Sequence, residues 1–191
     1  VDIFWPSVGA FAMFCLISSA TYLINDIKDR DSDREHPSKC KRPIAAGELS
    51  VPLAISFAVV LAVIALVGSY AIAPALAAVV LAYAVFTVSY SMALKHEPVI
   101  ELALLSMGFL LRAVAGGAAS DLPISQWFLI VAGFGSLFMA AGKRSSELKR
   151  EEIAGSPLGN RRKSLEGYSL SYLRFVWGTA AAVTIMGLSL I

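Results

Sequence analysis

Six long runs of apolar residues, each nearly free of charge, restrict this chain more than any other feature of its sequence. They cover about Phe4–Ile24, Val51–Tyr70, Ala75–Ser91, Val99–Ala118, Ser125–Gly142 and Tyr172–Ile191. A helix needs roughly 20 such residues to cross roughly 30 Å of hydrocarbon, and each run is near that length, the third and fifth being short. None alternates apolar with polar residues, which excludes a transmembrane β-barrel. The composition agrees, at 57% hydrophobic and 16% charged residues. The expected fold is therefore all-α: a polytopic membrane helix bundle, read as one transmembrane domain over residues 1–191.

The net charge of +2 says less than where the charges lie. Of 16 Lys and Arg, six fall in Lys28–Arg42, one is Lys95 and seven fall in Lys143–Lys163. The connectors near Ala71–Pro74 and Ala119–Ile124 hold none. Threading six spans in order puts every basic segment on one side, and the positive-inside rule makes that side cytoplasmic. The two cysteines, Cys15 and Cys40, give no disulfide framework. The sequence starts without Met and stops inside an apolar run, so further helices are expected beyond one or both ends.

The first run ends in Asn25-Asp26-Ile27-Lys28-Asp29-Arg30-Asp31-Ser32-Asp33. On a continuing helix Asn25, Asp29 and Asp33 form one ridge, with Asp26 beside it and Asp31 pointing away. Like charges on one face need something positive between them. Mg²⁺, a hard cation that prefers carboxylate oxygens and leaves room for substrate phosphates, suits that place. The plainer alternative is a charged helix end neutralised locally by Lys28, Arg30 and Arg34. The loop that follows runs from Arg34 to Gly47 and is basic, with Pro43 holding Arg42 extended and Gly47 suited to closing a turn. Lys39 and Arg42 bracket that turn and are placed to grip a polyanion, whereas Lys41 suits attraction to anionic lipid.

Further along, Tyr90 ends the third run and Lys95 follows in a short connector; interfacial anchoring and snorkelling are the ordinary uses of such residues. Arg112 lies inside the fourth run, where it either faces a cavity or partner or snorkels to the outer headgroups, and Glu101 falls on nearly the same face. The fifth run ends in Lys143-Arg144-Ser145-Ser146-Glu147. Lys143 and Glu147 are four apart and suited to pairing on one helix face. This segment and Asn25–Asp33 each end a span and open a polar loop of nearly thirty residues. That correspondence leads to the expectation of two halves, one acidic and one basic, facing a common cavity.

The pattern Asn25-Asp26-x-x-Asp29-x-x-x-Asp33, followed by Lys39-x-x-Arg42-Pro43-x-x-x-Gly47, resembles the first signature of the UbiA superfamily of intramembrane prenyltransferases. Tyr90 to Lys95 resembles that family's connector motif. The resemblance implies nine helices around a cavity open to the membrane, of which this chain would supply about the second to seventh. It also implies a departure, because family members usually carry a second Asp-rich motif where this sequence has Lys143 to Glu147. That variant, with Gly108 to Gly117 around Arg112 and Trp127 to Phe138, is similar to the decaprenyl-phosphate phosphoribosyltransferase branch. The branch transfers 5-phosphoribose from phosphoribosyl diphosphate (PRPP) to a polyprenyl phosphate in the plasma membrane, for cell-wall arabinan synthesis.

On that resemblance, Asn25, Asp26, Asp29 and Asp33 hold Mg²⁺, with Asp29 and Asp33 catalytic. Lys39, Arg42, Tyr90, Lys95, Arg112, Lys143, Arg144 and Glu147 bind substrates. Expected partners are PRPP and the lipid, without nucleic acid, and a homo-oligomer is compatible. The lipid phosphate is already ionised at pH 7, so no general base is required. Two rivals stand beside this reading. One is prenylation of an aromatic acceptor, which favours acids in the second motif. The other is a secondary transporter or divalent-cation channel, whose sites usually lie near the midplane rather than at one face.

Overall fold

The computed structural model describes residues 3–94, 98–153 and 167–190. Among these residues there are helices and turns and no strand. The helices are α1 (Phe4–Lys28), α2 (Arg30–Glu35), α3 (Pro43–Ala46), α4 (Val51–Ile72), α5 (Pro74–Ser89), α6 (Pro98–Ser120), α7 (Gln126–Ile153) and α8 (Leu170–Leu188), with a 3-10 turn at Lys39–Lys41 and a π-helical turn at Tyr90–Leu94. Prolines stand in the first turns of α3, α4 and α5, where a missing N–H costs no intrahelical bond. Five helical segments are long and apolar enough to cross a membrane: Phe4–Lys28, Val51–Ile72, Pro74–Met92, Val99–Ser120 and Gln126–Arg150. The expected sixth span is helical as α8 but falls outside that group, because Ser171, Tyr172, Arg174, Thr179 and Thr184 dilute its apolar residues.

The chain divides into two compact units, the first drawn from Val1–Met92 and Ala115–Leu122, the second from Ala93–Val114 and Pro123–Ile191. In the first unit α1 buries Ala10, Phe14, Ile17 and Thr21, whose spacing is one helical stripe, and packs chiefly on α4. The facing stripe of α4 is small: Ala54, Ala58, Ala65 and Ser69 are all buried. Its opposite face carries Phe57, Val60, Ile64 and Val67, each about half exposed or more (48–65%). A water-soluble helix would put those residues inward. Small residues inside and bulky apolar ones outside belong to a helix whose neighbours approach closely while lipid solvates its far side. α5 adds Leu76, Val80 and Tyr83 to this core. The Tyr83 hydroxyl accepts from Ser18 Oγ at 3.2 Å, and its ring meets Phe14 edge-on at 5.2 Å.

In the second unit α7 packs along α8, with Phe138 stacked on Trp177 at 5.2 Å. Leu102, Ala140, Ala141, Leu148, Tyr168 and Leu173 form a buried cluster. Ser169 caps α8, its Oγ accepting from the Tyr172 N–H at 3.1 Å. The boundaries differ from expectation at one place that matters for the site. A polar loop was expected after Gly142, yet α7 continues to Ile153. Lys143 to Arg150 is rich in helix formers, and the burial of Arg144 and Leu148, one turn apart, anchors the extension. At about 1.5 Å per residue this 28-residue helix exceeds the hydrocarbon thickness.

At Gly187 a methyl group would lie 2.8 Å from Val131 Cγ2, a β-branched atom with little freedom to move aside. Gly178, on the same helix, has nothing within 4 Å of that position. Gly187→Ala is expected to destabilise the protein by about 1–3 kcal/mol. Gly178→Ala is expected to be neutral or stabilising. Thermal melts in detergent check the contrast; equal melting temperatures would contradict the close approach.

Candidate functional site

The acidic ridge survives the end of α1. Asp29, at φ −92 and ψ 3, interrupts the helix only slightly. Its N–H still reaches Asn25 O at 2.9 Å, and Asp33 N–H reaches Asp29 O at 2.8 Å. Asn25, Asp29 and Asp33 therefore keep the helical register predicted from their spacing. Asn25, Asp26 and Asp29 are half-buried and Asp33 is buried. Asp31 is the solvated bystander: its side chain is 83% exposed, with Arg30 at 3.2 Å and Arg34 at 3.9 Å.

Local arginines thus go to Asp31, and the cation among the other acids comes from the loop. Arg42 is extended (φ −65, ψ 139) before Pro43, as expected, and Gly47 closes the turn at φ +83, a left-handed conformation that a Cβ disfavours. Arg34 Nε donates to Ala45 O at 3.0 Å and Leu49 N–H to Pro43 O at 3.0 Å. His36 Nδ1 accepts from the N–H groups of Ser38 and Lys39 at 3.2 and 3.3 Å, which fixes the turn that presents Lys39. On this frame Arg42 Nη1 donates to Asp26 Oδ1 and to Asp33 Oδ2, both at 2.8 Å. Lys39 Nζ stands 3.7 Å from Asp33 Oδ1.

This arrangement bears on the metal site expected from the sequence. Asn25, Asp26, Asp29 and Asp33 were expected to surround a metal, with Lys39 and Arg42 apart. Among the described residues no three Asp, Glu, His or Cys side chains are grouped to hold a metal ion. Two of the acids converge on one guanidinium nitrogen instead, because charge-assisted bonds to Arg42 satisfy them directly. The donor set itself fits a hard divalent cation: it is all oxygen, and Asp26 and Asp33 already share one cationic position.

The second unit holds the other candidates. Arg144 is 3% exposed; its Nη2 donates to Glu101 Oε1 at 2.7 Å, and its Nη1 donates to Glu147. Glu101 is fully buried. Arg144 and Glu147 were expected to bind substrate, yet they bind each other and α6, since a buried guanidinium requires carboxylates in contact. Glu147 pairs with Arg144, three residues away, in place of Lys143. Sequence reasoning missed the Glu101–Arg144 pair; a lone Glu near the start of an apolar run was its one signal. Lys143 is exposed. Arg112 lies over the Phe109 ring at 5.4 Å, with Nη1 3.5 Å from Gly108 O on its own helix. Tyr90 is half-buried and opens the π-helical turn. Lys95 lies outside the described residues, as do Arg161, Arg162 and Lys163. An apolar cavity of about 560 Å³ opens between α6, α7 and α8, lined in part by Leu102, Leu110, Phe134 and Val176.

Residues 2–155 match the model of the UbiA prenyltransferase family. Decaprenyl-phosphate phosphoribosyltransferase of Mycolicibacterium smegmatis is 50% identical over 177 residues, which is 93% of this chain and 55% of that protein. The protein of the same name from Corynebacterium glutamicum is 49% identical over 183 residues, 95% of this chain and 54% of that protein. The chain thus spans about half the length of these relatives. In structure it is similar to a UbiA homolog from Archaeoglobus fulgidus bound to DMAPP and Mg²⁺, with a TM-score of 0.82, 18% identity, and coverage of 98% of this chain and 66% of that one. That likeness concerns the fold.

Arg144→Met leaves the buried Glu101 without its cation and is expected to cost about 3–5 kcal/mol. Adding Glu101→Leu removes the stranded acid as well and is expected to restore most of the loss. Detergent melts of the single and double variants check this. A single variant that melts like wild type would contradict a structural role for the pair.

Proposed function

The chain belongs to the UbiA prenyltransferase family, and we propose that its protein transfers 5-phosphoribose from PRPP to a polyprenyl phosphate, decaprenyl phosphate in the first instance, releasing diphosphate. The observation that carries this reading is the convergence of Asp26 and Asp33 on one cationic position, 2.8 Å from each, at the end of a membrane-length helix. The names of two relatives near 50% identity, decaprenyl-phosphate phosphoribosyltransferase in both cases, support this choice of substrate classes. The active site is proposed to face the cytoplasm, where PRPP is made, on the strength of the basic segments.

The chemistry follows from charge. In the reaction the C1–O bond of PRPP breaks with its electron pair leaving on the diphosphate, and a lipid phosphate oxygen bonds to C1. That oxygen is ionised before it attacks, so no side chain has to take a proton. What the site must do is bind two polyanions and neutralise the departing one. Asp26, Asp29 and Asp33, with Asn25 beside them, would hold Mg²⁺, which supplies Lewis-acid neutralisation of the leaving group. Lys39 and Arg42 bind diphosphate oxygens, for which a guanidinium fork is suited. In the second unit the exposed Lys143 is available to a phosphate, and the apolar cavity has the character an isoprenoid chain requires.

Asp29→Asn is expected to lower phosphoribosyl transfer by about 100-fold or more, since metal-held charge stabilisation is worth several kcal/mol. The melting temperature should change little, because Asp29 is half-buried. Transfer of labelled phosphoribose to polyprenyl phosphate measures the rate, and near-normal turnover would refute the assignment. Ligand choice discriminates between substrates: PRPP with Mg²⁺ is expected to raise the melting temperature and an isoprenyl diphosphate is not. The reverse result would favour prenyl transfer to an aromatic acceptor. Ion flux through proteoliposomes without turnover would favour transport.

A further inference from the structure

We propose that Arg42 is a resident cation that excludes free divalent metal from the acidic ridge and yields its place only to metal arriving together with a diphosphate. The inference rests on the reading above and adds an order of binding to it. Arg42 Nη1 already occupies the point shared by Asp26 Oδ1 and Asp33 Oδ2, at 2.8 Å from both. Asp33 is buried, and leaving a carboxylate there without a contacting cation is costly. A free metal ion would have to displace the guanidinium and leave it beside another cation with no anion to receive it.

A diphosphate changes that balance. The guanidinium presents the same donors to phosphate as to carboxylate. Arg42 can therefore exchange two carboxylate bonds for phosphate bonds while the metal takes over the acids, and no charged group is left without a partner. The exchange needs little of the backbone. Arg42 sits between the Lys39–Lys41 turn and α3, and the loop is braced by the Arg34–Ala45 and Leu49–Pro43 bonds. Its side chain is 37% exposed, so a path to an incoming anion is open. Lys39, 3.7 Å from Asp33 Oδ1, stays near the acid as Arg42 leaves. Metal and diphosphate then bind with positive coupling, each raising the affinity for the other.

The test measures Mn²⁺ binding by electron paramagnetic resonance on the protein in lipid nanodiscs, with and without inorganic diphosphate. Wild type is expected to bind Mn²⁺ at least about tenfold more tightly when diphosphate is present. Arg42→Gln is expected to bind Mn²⁺ alone at least about tenfold more tightly than wild type, with most of the diphosphate enhancement gone. Arg42→Lys keeps a cation in place, guards against a loop that simply unravels, and is expected to retain the weak binding of wild type. If Arg42→Gln gains no Mn²⁺ affinity while wild type still takes up Mn²⁺ with diphosphate, the exclusion is wrong and the metal–diphosphate reading stands. Equal Mn²⁺ affinity in the Gln and Lys variants also overturns it, since charge would not be what excludes the ion. A wild type that binds no Mn²⁺ even with diphosphate overturns both.

Discussion

The pairing of Arg42 with Asp26 and Asp33 sets the form of everything between Asn25 and Gly47. A buried aspartate at the end of an apolar helix needs a contacting cation, and the local basic residues do not serve, because Arg30 and Arg34 turn to Asp31. The cation must then come from further along the chain. Bringing it back takes a turn organised by His36, an extended residue before Pro43 and a left-handed glycine at position 47. Each of those features looks like loop punctuation when taken alone. Together they deliver one guanidinium to one point.

The same rule operates in the second unit with a different result. Arg144 is enclosed, and the acids that neutralise it, Glu101 and Glu147, come from α6 and from its own helix. One bond from Arg144 ties α7 to α6 and another closes on Glu147 of its own helix, so Arg144 organises packing in this unit. Arg42 differs in exposure more than in chemistry: over a third of its side chain is open to solvent, against 4% for Arg144. That difference separates a pair that can exchange partners from one that fixes a helix.

The sequence made much of this legible. Long apolar runs located the membrane-length helices, and local rules found the extended Arg42, the turn at Gly47, the helical register of Asn25, Asp29 and Asp33, and the outward-facing Asp31. Each of those depends on residues a few positions apart. What was not legible depends on distance along the chain. Glu101 and Arg144 are separated by 43 positions, and nothing in either neighbourhood names the other. The continuation of α7 to Ile153 was hidden for a related reason, since its charged surface reads as a loop until Leu148 is seen to be buried in the cluster with Leu173. Positive charge between Asp26 and Asp33 was foreseen as a need, but the bond from Arg42 was not, because spacing along a helix specifies where positive charge must go without saying which group brings it.

The two faces of α4 are under different kinds of restraint. On the lined-up alanines at 54, 58 and 65, bulk is what matters, because a larger side chain would wedge the neighbouring helix away, whereas polarity of similar size, as with Ser69, fits. On the outward Phe57, Val60, Ile64 and Val67 the reverse holds: shape is nearly free and only oiliness is demanded. Drift in this helix should therefore swap aliphatic residues readily on one side while keeping the other frozen at one or two carbons, so a score that counts hydrophobicity alone would see the tolerant face and overlook the strict one.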